Sequence, residues 1–124
     1  MSQNACHPTV LVVEDEVFIR MVSVDALSDA GYEVLEAENA DEALALLKGA
    51  GNIDVLFTDI RMPGEMDGLE LAERVHVCWP KIKLLVTSGH RRLSDDEIPD
   101  AGRFIGKPYS LDAVVQNIQG MFED

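Results

Sequence analysis

The chain has 124 residues, 47% hydrophobic and 27% charged, the balance of one globular domain that can bury a core without covalent staples. Acidic residues outnumber basic ones 23 to 10, a net charge of −13 that argues against nucleic-acid backbones and anionic membranes. The same charge suits a divalent cation or a basic partner surface, with solubility as the plainer reading.

Cys6 and Cys78 have no second ligand at a zinc spacing, and two thiols of this kind suggest a reducing compartment. Residues 1–8 lack the basic start and apolar core of a signal peptide. No apolar run approaches membrane-spanning length, so the expected location is the cytoplasm.

Thr9 to Val13 is a continuous apolar, β-branched run, the pattern of a strand buried on both faces, and it ends in Glu14-Asp15-Glu16. A helix is expected from Val17 to Ala30, with Ile19, Val22, Ala26 and Ala30 on one face and Leu27 beside them. Gly31 is its stop. Glu33 to Ala37 reads as a short second strand. Asn39 with Glu42 three residues on has the form of a capping box. It opens a helix whose inward face is Ala40, Ala43, Leu44 and Leu47, closed near Gly49.

Val55-Leu56-Phe57 is too short for a core helix and rich in strand formers, and it leads to Asp59. Asp67-Gly68 then opens a helix through about Cys78, with Leu71, Ala72 and Val75 inward and Trp79-Pro80 as its end. Ile82 to Val86 is the fourth strand, followed by Thr87-Ser88-Gly89-His90. Between Arg91 and Gly102 only Leu93 and Ile98 are large and apolar, and Pro99 and Gly102 interrupt the stretch. One turn of helix in a poorly ordered segment is the most to expect there. Arg103 to Gly106 is a short fifth strand. After Lys107-Pro108-Tyr109, Ser110 caps a last helix with Leu111, Val114, Val115, Ile118 and Phe122 inward.

Five strands alternating with helices predict a three-layer α/β sandwich around a parallel sheet. Residues 1–8 read as a tail and 9–122 as the domain, with no repeats, no low-complexity tract and no effector domain expected.

The ends of these strands carry the chemistry. Glu14 and Asp15 follow the first strand, Asp59 ends the third, Thr87 the fourth, and Lys107 follows the fifth. In a parallel sheet these ends share one edge, where α/β proteins bind ligands. If the first and third strands are neighbours, three carboxylates converge, and such a group wants a hard divalent cation. Mg²⁺ fits best, since it takes few protein carboxylates and leaves room for a phosphoryl oxygen. Asp59 either binds that cation or reacts, and carboxylates do form aspartyl phosphates. Phosphoryl transfer is mostly positioning and charge neutralisation, for which Lys107 supplies a cation and Thr87 and backbone amides supply donors.

Glu14-Asp15, Asp59 with Met62-Pro63 and Asp67-Gly68, Thr87, and Lys107-Pro108 together resemble the receiver domain of bacterial two-component response regulators, over residues 9–122. The resemblance implies a flavodoxin-like (βα)5 fold with strand order 2-1-3-4-5. It implies that Asp59 accepts phosphate from a sensor histidine kinase or a histidine phosphotransfer protein, with Mg²⁺ held by Glu14, Asp15, Asp59 and the backbone carbonyl of Arg61. Thr87 and Phe104 are expected to turn toward the phosphoryl group, Lys107 to pair with its oxygens, and the Lys107–Pro108 bond to be cis. A module of this kind switches a partner-binding surface, takes part in its own phosphorylation and dephosphorylation, and is not a metabolic enzyme. The downstream partner is unspecified, and a homodimer through the last helices is open.

Three features depart from the family pattern. Gly64-Glu65-Met66 makes the loop before Asp67 one residue longer than usual, Ser88 replaces a small alanine, and the stretch from Thr87 to Lys107 is slightly short. Each site residue also has a plainer reading. Asp59 could cap a turn, Glu14 and Asp15 could favour a helix dipole as Glu16 does, and Lys107 could be a solvated lysine. Phe104 divides evenly between core filler and rotating switch. Tyr109 reads as packing, His90 as surface, and His7, His76 and both cysteines as incidental. Arg61, Arg91 and Arg92 read as exposed. The order of the acids, threonine and lysine on successive strand ends favours the functional reading.

Three rivals remain. A small Mg²⁺-dependent phosphatase with an aspartyl nucleophile needs an acid two residues after it, where Arg61 stands. A flavin or nucleotide binder needs a phosphate-cradling loop where Glu14-Asp15-Glu16 stands. A phosphate-independent binding module needs none of these residues.

Overall fold

The apolar runs form strands β1 (Thr9–Val13), β2 (Glu33–Ala37), β3 (Val55–Asp59), β4 (Lys83–Ser88) and β5 (Arg103–Gly106) in a computed structural model. Helices α1 (Val17–Asp29), α2 (Ala40–Ala50), α3 (Gly68–Cys78) and α4 (Leu111–Met121) connect or follow them. The structure describes residues 8–50, 52–61, 64, 66–89, 98 and 102–122. The helix expected between β4 and β5, the N-terminal tail as far as His7, and Met62, Pro63, His90, Arg91 and Arg92 lie outside the described residues.

All strands pair in parallel, in the order β2-β1-β3-β4-β5. Alternate residues of each strand point to opposite faces, so each strand feeds two cores. Leu11, Val13, Leu56, Leu84 and Val86 join Ala40, Ala43 and Leu47 of α2 and Leu71, Ala72 and Val75 of α3. Val10, Val12, Val55, Phe57 and Leu85 join Leu27 of α1 and Val114 and Ile118 of α4 on the other face. Both faces are covered, which is why these strands read as unbroken apolar runs. The three-layer, flavodoxin-like fold is the one expected. No helix among the described residues is long and apolar enough to cross a membrane.

Two helix faces differ from expectation. On α1 the fully buried positions are Ser23 and Leu27, whereas Ile19, Val22 and Ala26 are half-buried and Ala30 is exposed. Apolar residues surround this helix, with Val17, Phe18 and Met21 facing solvent, so periodicity could not choose its inner side. On α4, Phe122 is the C-cap residue and 40% exposed, lying under the Lys83 ammonium at 5.6 Å rather than in the core. Met121 packs on the core instead.

The helix ends follow local chemistry. At the end of α1, Gly31 takes φ 100°, its N–H reaches the Ser28 carbonyl (3.1 Å) and the Tyr32 N–H reaches Leu27 (3.1 Å), a Schellman ending. Asn39 accepts from the Glu42 N–H at 2.9 Å, but Glu42 returns to the Glu38 N–H and not to Asn39. The expected box is therefore shifted by one residue. A full capping box forms on α3, between Asp67 and Glu70, and Ser110 Oγ caps α4 through the Ala113 N–H at 3.0 Å.

Gly68 explains why a glycine follows Asp67. Its N–H donates to the Ile60 carbonyl at 2.8 Å, and a Cβ there would run into the Asp59 carbonyl. The start of α3 thus presses on the backbone that presents Asp59. Gly68→Ala is expected to lower stability by about 1–3 kcal/mol through overpacking. Gly49→Ala, in open space on α2, is expected to gain about 0.5–1 kcal/mol. Urea unfolding midpoints check both.

Candidate functional site

The parallel register delivers Val13, Thr58 and Asp59, Thr87 and Ser88, and Gly106 to one edge, and the residues that follow them meet there. The Glu14 N–H extends the β1–β2 ladder to the Ala37 carbonyl at 3.0 Å, so Glu14 is held at the strand end while Asp15 projects from it. Asp59 pairs with Thr87 across β3 and β4, and the Ile60 N–H reaches the Thr87 carbonyl at 2.9 Å. The Lys107 N–H donates to the Ser88 carbonyl at 3.1 Å, drawing the turn after β5 over the site. The Lys107–Pro108 peptide is cis.

Glu14 and Asp59 are 4% and 6% exposed, and Asp15 is exposed. One carboxylate oxygen from each lies within 4.8 Å of the others. The Lys107 ammonium bridges the two buried acids, at 2.9 Å from Asp59 Oδ2 and 3.1 Å from Glu14 Oε1. Asp59 Oδ1 accepts from the Arg61 N–H at 3.3 Å, and Glu14 Oε2 from the Glu16 N–H at 3.1 Å. Arg61 meets Asp59 through its amide, and its side chain is exposed. These groups line a cavity of about 320 Å³.

Burial disfavours the charged form of Lys107, but its bonds to Asp59 and Glu14 outweigh that and hold the ammonium well above its ordinary range. Burial raises the Glu14 carboxyl, the Glu16 amide and Lys107 oppose the rise, and the Asp59 charge adds to it. The donor set is all oxygen and anionic, which fits a hard divalent cation and not a soft one. Thr87, paired with Asp59 across the strands, has its Oγ1 buried and without a hydrogen-bond partner among the described residues.

The structure therefore brings Glu14, Asp15, Asp59, Thr87 and Lys107 to one edge. Phe104 pairs with Val86 and packs, partly buried, on the α2–α3 core face. Tyr109 packs edge-on to Phe57 at 5.9 Å, as a packing residue should. Glu16 is the N-cap of α1, apart from the acidic trio.

Sequence reasoning missed Arg20. Its Nη1 donates to the Glu14 carbonyl at 2.8 Å and its Nε to Glu36 Oε1 at 3.0 Å. It is the one basic residue between Val17 and Asp29, a signal that could have found it.

Without Lys107, Glu14 and Asp59 would be buried and unneutralised. Lys107→Met is expected to cost about 3 kcal/mol at neutral pH in metal-free buffer. Burial without the lysine leaves the Glu14 carboxyl binding its proton more tightly folded than unfolded, so the deficit narrows as pH falls toward 4.5, the ordinary glutamate value. Chemical denaturation at a series of pH values reads this directly.

A parallel sheet of this order with an acidic cluster, a threonine and a lysine at its carboxyl edge defines a class. The chain belongs to the response regulator receiver domain family, whose pattern matches residues 10–119. It is a signalling module of two-component systems. It is 34% identical to the response regulator receiver protein CpdR of Brucella abortus, over 90% of this chain and 94% of that protein. It is 36% identical to the sensor kinase CckA of the same organism over 93% of this chain, which spans only 12% of that kinase's length. The crystal structure of the receiver domain from hybrid histidine kinase CckA superposes with a TM-score of 0.80 at 30% identity, covering 93% of this chain and 99% of that one.

Proposed function

We propose that this receiver is a phosphoacceptor that takes a phosphoryl group onto Asp59 from a phosphohistidine of a sensor kinase or a phosphotransfer protein. The observation that carries the reading is a buried Asp59 carboxylate, paired with the Lys107 ammonium at 2.9 Å and set beside two further acids. An Asp59 oxygen forms the bond to phosphorus as the bond from phosphorus to the imidazole nitrogen breaks. The electron pair leaves with the imidazole, which takes a proton from solvent.

Glu14, Asp15, Asp59 and the Arg61 carbonyl would hold Mg²⁺, which neutralises charge on the phosphoryl oxygens when bound. Lys107 shifts its pairing from the two acids to the new phosphoryl oxygens. The Arg61 N–H and the Thr87 hydroxyl are the neutral donors. Drawing Thr87 toward the phosphoryl group biases the surface around β4 and β5, with Phe104 as the follower, and a partner reads the change. The exposed Val17, Phe18 and Met21, on the helix whose Ile19 lines the cavity, suit an apolar contact with the donor protein. The cytoplasm is where such a donor presents its histidine. Contact between the last helices of two copies is a second route of output.

Intact mass after incubation with acetyl phosphate tests the reading. A labile single phosphoryl adduct is expected on wild type with Mg²⁺, and none on Asp59→Asn or after chelation. No adduct and no Mg²⁺ binding would instead make this a phosphate-independent binding module. Thr87→Val removes a buried hydroxyl that has no partner, so it is expected to stabilise the metal-free protein by about 1 kcal/mol. The same variant is expected to lower the yield of adduct, measured alongside its urea midpoint.

A further inference from the structure

We propose that Arg20 is a positioning residue for the acidic cluster, acting through the peptide that joins Glu14 to Asp15. The inference rests on the reading that this cluster holds Mg²⁺, and it assigns which residue outside the cluster sets its shape.

Asp15 is the exposed member of the trio, and its carboxylate has no hydrogen-bond partner among the described residues. Its position is therefore set by its backbone. That backbone leaves the sheet at Glu14, whose N–H is held by Ala37 at 3.0 Å. The carbonyl on the other side of Glu14 is held by Arg20 Nη1 at 2.8 Å. The peptide between Val13 and Glu14 is thus held by the sheet, and the next one, between Glu14 and Asp15, by an arginine.

Arg20 is itself held. Its side chain is 13% exposed, its N–H is bound to the Glu16 carbonyl at 2.9 Å as α1 begins, and its Nε meets Glu36 of β2 at 3.0 Å. Two different nitrogens of one planar group engage two acceptors, a geometry that lysine cannot reproduce. Glu36 also takes up the guanidinium charge, which would otherwise work against a cation bound to Glu14 and Asp15. A chain of contacts runs from β2 through α1 to the metal-binding loop, as partners behind metal ligands commonly do.

Charge and position predict opposite signs, which makes the idea testable. Arg20→Ala removes a positive charge near three acids, so Coulomb attraction alone would tighten Mg²⁺ binding. Loss of positioning would weaken it. Titration calorimetry with Mg²⁺ is expected to show binding about tenfold weaker in both Arg20→Ala and Arg20→Lys. In metal-free protein the Asp15 amide resonance is expected to move in both variants, because the adjoining carbonyl loses its donor. Glu36→Ala is expected to weaken Mg²⁺ in the wild-type background and to add nothing in the Arg20→Ala background.

Unchanged or tighter Mg²⁺ binding in Arg20→Ala, or wild-type affinity in Arg20→Lys, overturns the proposal, whatever happens to thermal stability. Equal effects of Glu36→Ala in both backgrounds show that Glu36 acts by charge and break the chain at that link. Should Arg20→Ala fail to fold, Arg20→Lys and the exposed Glu36→Ala carry the test. If wild type binds no Mg²⁺, the reading of the cluster fails, and the Asp15 resonance in Arg20→Lys still decides whether arginine holds that peptide.

Discussion

The Lys107 ammonium, shared between Glu14 and Asp59, is the contact on which the functional edge depends. Two buried carboxylates side by side repel, and each loses hydration, so their burial depends on a cation beside them. The lysine supplies the charge from 93 and 48 residues away in the chain. It can do so because β1 and β3 are neighbours and β5 returns beyond β4 to the same edge. Strand order and charge neutralisation are one requirement seen at two scales.

Everything else at the edge is arranged so that the lysine is enough without being final. Its bonds are made to carboxylates of the cluster that could hold a metal ion, and the neighbouring Thr87 hydroxyl has no hydrogen-bond partner among the described residues. Such a site costs stability, and the two cores offset it. Leu11, Leu56 and Leu84 on one face and Leu27, Leu85 and Ile118 on the other are all fully buried.

The same receiver pattern recurs in CpdR, which it nearly spans, and within the much longer sensor kinase CckA. Around the acidic edge of this chain's sheet, Phe18, Met21 and Arg61 are exposed.

By itself, the sequence determined the strands, their burial on both faces, most helix ends and the five side chains at the sheet edge. These follow from local rules: unbroken β-branched runs, a glycine at positive φ after α1, a serine before α4, and polar residues at the ends of strands. Only the tertiary structure decided what depends on partners distant in the chain. It chose Ser23 and Leu27 as the inner face of α1, because a helix apolar all round has no single inside until it docks. It left Phe122 at the surface under Lys83, made Gly68 obligatory beside the Asp59 carbonyl, and brought Arg20 to the Glu14 carbonyl. A close approach or a hydrogen bond to a backbone atom leaves no periodic trace in sequence, since every residue has the same backbone.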